Sequence, residues 1–253
     1  VSLRQETAIC MSSLLIGKFF RFFQKYALRG DQVYCPLCEK SYLTFLPYGV
    51  RKRPHAQCPG CRSLERHRLI WLFMKEKGIL EAPLHLLHVS PEVVFFKKFV
   101  RTPRIKYVPI DKFDPGYRYP KGTVNADITQ LPYSDHTFDF ILCIHVLEHV
   151  PDDALAMREL YRVLKPGGSA LIQVPMDNDL AVTQEDLSIT DPVVRQKLYG
   201  QPDHVRQYGR DYKERLEKAG FQVAVEAFDK AFSQEEIFKF GLPSDEDIYL
   251  CKK

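Results

Sequence analysis

The 253-residue sequence lacks an apolar run long enough to cross a lipid bilayer, which excludes a membrane-spanning helix. It also lacks internal repeats and low-complexity tracts, so a repeat architecture or a compositionally biased chain is not indicated. The net charge is only +4, which permits a phosphate-bearing partner but does not point to one. The 45% hydrophobic composition is enough for a sizeable core, in one large domain or one domain with a small appendage.

The N-terminal segment lacks the small-residue cleavage site of a signal peptide. Residues 12–30, SSLLIGKFFRFFQKYALRG, combine apolar side chains with four cations, Lys18, Arg21, Lys25 and Arg29. This pattern is typical of an amphipathic basic helix, and we assign residues 1–30 to it. Because apolar stripes usually pack on protein, we expect the helix to cover an apolar patch of this chain or of a second subunit. The alternative is peripheral contact with a membrane surface.

The seven cysteines do not have the spread of a disulfide framework. Four of them form two C-x2-C pairs separated by nineteen residues: Cys35, Cys38, Cys58 and Cys61. Each pair brings two thiolates to one side of a turn, and two such turns supply the four sulfur ligands that structural zinc prefers. We therefore predict a four-cysteine zinc ribbon over residues 31–62, folded largely by its metal, in a reducing compartment such as the cytoplasm. Iron on four sulfurs and unrelated free thiols are the alternatives.

Basic side chains surround the cysteine pairs. They are Arg51, Lys52, Arg53, His55, Arg62, Arg66, His67 and Arg68. Such a group can bind a phosphate backbone or an anionic small molecule, and it can equally be a solvated surface.

Strand-like and helix-like segments alternate from residue 84 to the end of the chain. The predicted strands lie at 84–89, 105–110, 123–126, 137–144, 168–174, 221–228 and 246–251. The predicted helices lie at 91–101, 152–164 and 210–219, and another at 63–78 has Ser63 as its N-cap and Gly78 as its stop. This alternation predicts an α/β fold with a doubly wound, mostly parallel seven-stranded sheet, and we assign residues 63–253 to this domain.

The first predicted strand is followed by a turn without glycine. In LHLLHVSPEVVFFKKF, residues 84–99, the strand-to-helix turn is Ser90-Pro91-Glu92. Nucleotide-binding α/β proteins usually carry glycines at this place, where the backbone approaches the ligand closely. Pro91 suits the first position of a helix and Glu92 suits its first turn. We therefore expect a ligand site with a turn of another shape.

Residues 124–175 contain a series of short motifs in a fixed order. They are Leu131-Pro132-Tyr133, Phe138-Asp139, Leu147-Glu148-His149 and Leu164-Lys165-Pro166-Gly167-Gly168. Together they resemble the class I S-adenosylmethionine-dependent methyltransferases of the type 11 subgroup. Residues 58–68 and 87–92 are also similar to the patterns CPxCxSLxRHR and LHxxPE of methyltransferase-like bacterial sequences. The resemblance implies a Rossmann-like fold that binds S-adenosylmethionine at the carboxyl edge of the sheet.

The cofactor contacts that the resemblance implies agree with the place of two carboxylates. Asp111 and Asp127 follow successive predicted strands, and ligands of open α/β sheets bind at strand ends. By resemblance, Asp111 accepts the ribose hydroxyls and Asp127 binds the adenine amino group, unless both only form turns. The predicted cofactor-binding residues are His88, Ser90, Glu92, Asp111, Lys112, Asp127, Ile128 and His145.

The predicted acceptor side involves the end of the fourth strand and an insert. His145 ends that strand, where a general base can face the methyl group, although it can equally be a histidine hydrogen-bonded beside the cofactor. An acceptor-covering insert is expected at about 176–209. There His204, Arg206 and Tyr208 alternate, so an extended chain turns all three to one side. We predict His145 and His204 as catalytic and His204, Arg206 and Tyr208 as substrate-binding, with a polar surface loop as the alternative.

The segment from His145 to His149 also resembles the metal-binding stretch of ubiquinone-biosynthesis O-methyltransferases. Glu148 and His149 recur in the superfamily without a metal, so the sequence does not favour a second metal site.

Three functions are compatible with these patterns. The first is methyl transfer from S-adenosylmethionine to an oxygen of a small-molecule or saccharide-like acceptor, for which Arg206 indicates anionic character. The second is methylation of RNA, with the zinc ribbon binding the nucleic acid, although no Asn-Pro-Pro-Tyr-like motif and no strongly basic domain is present. The third is a non-catalytic binding protein that keeps the fold. The sequence does not define an oligomeric state.

Overall fold

The computed structural model describes residues 24, 26–49 and 52–253. Residues 12–23 and 25 of the helix predicted at 12–30 therefore lie outside the described residues, whereas Arg29 and Gly30 begin a strand. Among the residues that are described, none of the helices combines the length and the apolar character that crossing a membrane requires.

The chain divides into two compact units. The first, here called the ribbon unit, holds the described residues up to Lys77 together with Ala227–Glu246. The second, here called the sheet unit, holds Gly78–Glu226 and Asp247–Lys253. The ribbon unit thus includes more of the chain than the zinc ribbon predicted at 31–62.

Thirteen strands are described, four in the ribbon unit and nine in the sheet unit. They are β1 (Arg29–Cys35), β2 (Lys40–Tyr42), β3 (Leu46–Tyr48), β4 (Arg53–Gln57), β5 (Leu84–Val89), β6 (Ile105–Asp111), β7 (Val124–Asn125), β8 (Phe138–Ile144), β9 (Leu164–Gln173), β10 (Gln184–Glu185), β11 (Arg206–Gln207), β12 (Gln222–Glu226) and β13 (Ile248–Lys252).

The α-helices bounded within the described residues connect these strands. They are α1 (Glu65–Glu76), α2 (Val93–Phe99), α3 (Asp153–Val163), α4 (Pro192–Tyr199), α5 (Tyr212–Lys218) and α6 (Gln234–Phe240). Short 3-10 helices lie at Leu147–His149 and Phe228–Ala231.

The sheet unit is built on a seven-stranded sheet in the order β12-β13-β9-β8-β5-β6-β7. Strands β5 to β9 pair in parallel, and β13 runs antiparallel to both β9 and β12. The predicted seven-stranded, mostly parallel fold is therefore confirmed. The strand order reverses at β5, which pairs with β6 on one side and β8 on the other. Open α/β sheets bind ligands at such a switch point, outside the carboxyl ends of the strands.

The core of the sheet unit explains why these segments form strands. Leu86, Leu87, Ile141 and Leu142 are fully buried on β5 and β8, as expected for parallel strands covered on both faces. Helix α3 buries one face against the sheet through Ala156, Met157, Leu160 and Val163, which follow the helical repeat. Asp152 begins this helix by accepting a hydrogen bond from the Leu155 backbone N–H at 2.8 Å.

For helix α1, the predicted C-terminal end is correct and the predicted N-cap is wrong. Gly78, at φ +64°, follows the helix where a left-handed residue ends it, as predicted. The N-cap is Leu64 rather than Ser63, and the Leu64 backbone N–H donates to Nδ1 of His67 at 3.1 Å. Ser63 is instead buried beside the cysteines.

Helix α6 lies between β12 and β13 in the sequence and was not predicted. Its first turn carries a capping box in which the Ser233 and Glu236 side chains each satisfy the other's backbone N–H. The sequence Ser-Gln-Glu-Glu at 233–236 is the pattern that could have indicated this helix.

Candidate functional site

The four paired cysteines converge in the ribbon unit. Cys35 Sγ lies 3.6 Å from Cys61 Sγ, and Cys38 Sγ lies 3.7 Å from Cys58 Sγ. Neighbouring sulfurs of a tetrahedral zinc centre are about 3.8 Å apart, given zinc–sulfur bonds of about 2.3 Å. A disulfide would bring two sulfurs to about 2.0 Å. The spacing and the donor type therefore fit a four-thiolate metal ion.

The two cysteine turns have the same backbone shape. In each, the residue after the second cysteine has a left-handed conformation, with φ of +56° at Glu39 and +69° at Arg62. Its N–H donates to the carbonyl of the first cysteine, at 2.8 Å to Cys35 and 3.0 Å to Cys58. Neither position is a glycine, so each turn carries backbone strain of the order of 1 kcal/mol.

Polar side chains contact the sulfurs from outside. Ser63 Oγ lies 3.3 Å from Cys35 Sγ and 3.2 Å from Cys61 Sγ. Tyr42 packs so closely on the second turn that a Cβ added to Gly60 would lie 1.9 Å from its phenol oxygen. Hydroxyl groups at these distances can donate to thiolates and orient them.

Arg68 joins three parts of the ribbon unit. Its side chain is fully buried and donates to the carbonyls of Ser63 at 2.8 Å and Ala56 at 2.9 Å. It also donates to Phe240 at 2.7 Å and to Gly241 at 3.1 Å. The last residue of the CPGCRSLERHR pattern therefore ties the second cysteine turn and β4 to the end of α6.

Two further basic residues near the cysteines are also engaged within the ribbon unit. Arg53 forms an ion pair with Glu65 at 3.0 Å. His55 Nε2 lies 2.8 Å from the carbonyl of Phe238, and its ring stacks on the phenyl ring of that residue. Together with Arg68, these contacts reduce the basic surface that a phosphate backbone could meet.

In the sheet unit, Asp111 lies at the end of β6 and faces the glycine-free turn. The Ser90 hydroxyl donates to Asp111 Oδ2 at 3.3 Å. Burial raises the pKa of Asp111 from its ordinary value, and this hydrogen bond opposes the effect only in part. A second hydrogen bond comes from the Lys112 backbone, and a half-buried carboxylate with these two donors can accept others.

Asp127 follows β7 and already has several donors. Lys112 Nζ lies 2.8 Å from its Oδ2, while the backbone N–H and the hydroxyl of Thr129 donate to Oδ1 at 2.9 and 2.6 Å. Burial would raise the pKa of Asp127, but these donors outweigh it and lower the pKa to about 2. Ile128, next to it, is buried in the core of the sheet unit.

The turn after β5 keeps a glycine-like conformation without a glycine. Ser90 has φ of +47°, and its N–H donates to the Ile110 carbonyl at 2.8 Å. Glu92 is the N-cap residue of α2, and its Oε2 lies 2.9 Å from His88 Nε2. The other His88 nitrogen, Nδ1, lies 2.8 Å from the Tyr107 hydroxyl.

His88 is therefore placed differently from the sequence expectation of direct cofactor contact. It is fully buried, and both ring nitrogens are engaged within the chain. Its position supports an indirect role, in which the imidazole orients the Glu92 carboxylate.

His145 follows β8 at the switch point. It has a left-handed backbone with φ of +54°, and its N–H donates to the Gln173 carbonyl at 2.8 Å. Nδ1 lies 3.3 Å from Oε1 of the buried Glu148. A carboxylate beside one ring nitrogen can orient an imidazole for proton transfer by the other.

The insert residues His204, Arg206 and Tyr208 are all buried rather than displayed on a surface. Arg206 donates to the carbonyls of Leu147 and Pro151, each at 2.8 Å, and to Glu185 at 2.8 Å. The hydroxyl of Tyr208 donates to Asp153 at 2.7 Å, and burial raises the pKa of this phenol well above its ordinary value.

These contacts replace the expectation that Arg206 and Tyr208 bind the acceptor directly. Their polar atoms are committed within the sheet unit, where a second arginine, Arg215, also donates to Asp153 at 2.8 Å. Asp153 and Glu185 were not predicted as members of this network, because a carboxylate at a helix start and one in an insert resemble ordinary surface acids. His204 retains an unpartnered ring nitrogen, Nε2, and burial lowers its pKa.

Comparison with known proteins places a methyltransferase segment in the sheet unit. Residues 97–172 match the family described as Methyltransferase domain. An uncharacterised protein of Methanocaldococcus jannaschii is 36% identical over 84 residues, which are 30% of this chain and 37% of that protein. The ubiquinone/menaquinone biosynthesis C-methyltransferase of Idiomarina loihiensis is 49% identical over 49 residues, 19% of this chain and 20% of that protein.

The chain thus spans well under half the length of these curated relatives. Among solved structures, an S-adenosylmethionine-dependent methyltransferase from Mesorhizobium loti has a TM-score of 0.49 and 14% identity, and it covers 73% of this chain and 98% of its own. The family match covers 76 of the 253 residues and supports a methyltransferase domain in that segment.

Proposed function

We propose that this protein transfers a methyl group from S-adenosylmethionine to an oxygen atom of a small-molecule or saccharide-like acceptor. The observation that carries the proposal is the arrangement at the carboxyl edge of the sheet. Asp111, Asp127 and the Ser90 turn follow three neighbouring parallel strands, within a unit whose residues 97–172 match a methyltransferase family.

The residues at this edge fit the nucleoside half of the cofactor. Asp111 is half-buried, accepts hydrogen bonds from the Ser90 hydroxyl and the Lys112 backbone, and can accept two ribose hydroxyls as well. Asp127 is kept ionised by Lys112 and Thr129, so it can accept a hydrogen bond from the adenine amino group. The Glu92 carboxylate, oriented by His88, suits the ammonium group of the amino-acid end.

S-adenosylmethionine supplies an electrophilic methyl group on a sulfonium sulfur. The chain then has to align an acceptor hydroxyl and remove its proton. His145 is the best-placed base, because it is partly exposed at the switch point and its Nδ1 faces Glu148. His204 is only 3% exposed, so a direct role in proton transfer from the acceptor is less well supported.

The insert has the role of shaping the acceptor side rather than binding the acceptor through Arg206. By donating to the carbonyls of Leu147 and Pro151, Arg206 fixes the segment that follows His145. We assign it as a positioning residue.

The four cysteines of the ribbon unit are proposed to bind one structural zinc ion. All four ligands come from protein, which leaves no position for a substrate. The RNA-methylation alternative is less well supported, since Arg53 and Arg68 are engaged within the chain.

The test is calorimetry of the full chain with S-adenosylmethionine and with its demethylated product, S-adenosylhomocysteine. Asp111→Asn should weaken binding of both ligands about 10- to 100-fold, because an amide accepts the ribose hydroxyls poorly. Glu214→Gln is the control, since Glu214 is an exposed acid on α5 of the same unit, and it should bind as the unchanged protein does.

Absence of heat with both ligands at millimolar concentration would exclude the proposal and favour a non-catalytic protein. Tight RNA binding that weakens steeply with salt would favour the nucleic-acid alternative instead.

A further inference from the structure

Three potential metal ligands meet beside His145: two are adjacent in the sequence, and the third comes from the insert. One ligand atom each of Glu148, His149 and His204 lies within 4.8 Å of the others. Glu148 is 1% exposed and His204 is 3% exposed. Neither carboxylate oxygen of Glu148 accepts a hydrogen bond, and Nε2 of His204 has no partner among the described residues.

Unpartnered buried polar atoms are costly, at about 1–3 kcal/mol each and more for a charged group. His145 Nδ1 approaches Glu148 Oε1 to 3.3 Å but leaves both carboxylate oxygens without a hydrogen bond. A buried carboxylate and an imidazole lone pair that face the same small space are therefore placed to bind a cation. The same atoms are those through which proteins bind transition metals.

The histidines of the cluster also have the outer contacts that metal-binding histidines need. His204 Nδ1 lies 2.8 Å from the Tyr199 carbonyl, which can only accept, so Nδ1 carries the proton and Nε2 presents a lone pair. His149 Nδ1 lies 3.2 Å from Oδ2 of Asp203. A carbonyl and a carboxylate are the usual partners that fix the ring of a metal-bound histidine.

Arg206 holds the two ligand-bearing segments together. Its guanidinium donates to carbonyls on either side of Glu148 and His149, and Val205, next to His204, donates its N–H to the Glu148 carbonyl at 2.9 Å. The approach of the three ligands is therefore fixed by backbone contacts.

We propose that Glu148, His149 and His204 bind one divalent first-row transition-metal ion, of the zinc, cobalt or iron(II) type. Two imidazoles and one carboxylate leave coordination positions open for a substrate oxygen. A bound ion would draw the three donor atoms to about 3.4 Å from one another, a change that side-chain rotation supplies. If the proposed function holds, the open positions would orient the acceptor oxygen beside His145.

The experiment uses the full chain without a histidine tag, loaded with one zinc per chain at the cysteines, and titrated with cobalt(II) by calorimetry and visible absorption. The expected result is one further cobalt per chain with a weak absorption band typical of nitrogen and oxygen ligands. A strong thiolate charge-transfer band would instead report exchange at the cysteines and would count against the site.

His149→Gln is the main variant, because the His149 side chain is 35% exposed and tolerates substitution. It should weaken cobalt binding more than about 100-fold, as should His204→Gln, whereas Asp203→Asn removes only an outer partner and should cost about tenfold. His85→Gln, a histidine outside the cluster, is the matched control and should bind cobalt unchanged.

Equal cobalt affinity in the unchanged protein, His149→Gln and His204→Gln would overturn the proposal. Cobalt binding is measured without S-adenosylmethionine, and cofactor binding is measured without cobalt. Failure of the metal site and failure of the proposed methyl transfer are therefore distinguishable.

Discussion

One structural feature is common to the two clusters, the four cysteines of the ribbon unit and Glu148, His149 and His204 of the sheet unit. Each lies beside a fully buried arginine, Arg68 or Arg206, that donates to several backbone carbonyls. They differ in what surrounds the ligands. The cysteines lie on turns between short strands, whereas the second cluster follows the carboxyl end of β8 in a seven-stranded sheet. A metal ion would therefore fold the first region, and the fold already forms the second.

The largest expected effect is the unfolding of the ribbon unit when its metal site is removed, while the sheet unit stays folded. Cys58→Ser should abolish stoichiometric zinc binding and remove order from residues 31–61, because structural zinc supplies about 10–16 kcal/mol to such segments. The sheet unit should keep its protection from hydrogen exchange, as measured by mass spectrometry of peptides. The control is Cys251→Ser, a buried thiol on β13 that lies outside the cluster.

Full exchange protection of residues 31–61 in zinc-free Cys58→Ser would contradict this view. It would mean that the ribbon unit, like the sheet unit, is folded by packing alone.

A smaller effect is expected from the two arginines. Arg68→Met should lower the free energy of unfolding of the ribbon unit by about 3 kcal/mol, because several buried carbonyls lose their charged donor. Arg206→Met should destabilise the sheet unit by a similar amount and also weaken cobalt binding, although no ligand is changed. Urea unfolding followed by exchange of individual peptides measures both, and Arg158→Met, an exposed arginine on α3, should change neither.

If Arg206→Met lowered the stability of the sheet unit but left cobalt affinity unchanged, the proposed parallel between Arg206 and Arg68 would be wrong. Arg206 would then stabilise the sheet unit without positioning the ligands.

The smallest effect concerns the strained turns. Glu39→Gly and Arg62→Gly should raise the stability of the ribbon unit by about 0.5 kcal/mol each, since glycine adopts the left-handed conformation without strain but is more flexible when unfolded. Ser90→Gly should relieve similar strain in the sheet unit while weakening S-adenosylmethionine binding a few-fold, because the hydroxyl that contacts Asp111 is lost. Thermal unfolding and calorimetry measure the two effects.

Ser90→Ala is the control for that variant, since it removes the hydroxyl and keeps the strain. Equal cofactor affinity of Ser90→Ala and the unchanged protein would show that the hydroxyl has no part in binding.

What the sequence could predict depended on the range of the interactions involved. The cysteine cluster was predictable because each C-x2-C turn is local, and the strands of the sheet were predictable because parallel strands are continuous apolar runs. Helix α6 was missed although Ser233 and Glu236 form a capping box, because a seven-residue helix shows only about two turns of the helical repeat.

The second cluster could not be predicted in the same way. His204 lies 55 residues beyond His149, and only the packing of the insert against the segment after β8 brings them together. The same packing buries Arg206 and Tyr208. Their alternate positions in the sequence had suggested an exposed surface that binds the acceptor. Long-range pairing decides which polar residues of an insert face outward, and a local pattern does not contain that information.

Arg68 is synthesised long before some of the residues to which its side chain donates hydrogen bonds. Two of its carbonyl partners, Phe240 and Gly241, lie 172 and 173 residues further along the chain. During synthesis, the cysteines and Ser63 are present long before α6. Until α6 is made, Arg68 lacks two of its four carbonyl acceptors. Completion of this unit therefore has to wait until the whole parallel part of the sheet, β5 to β9, has been synthesised.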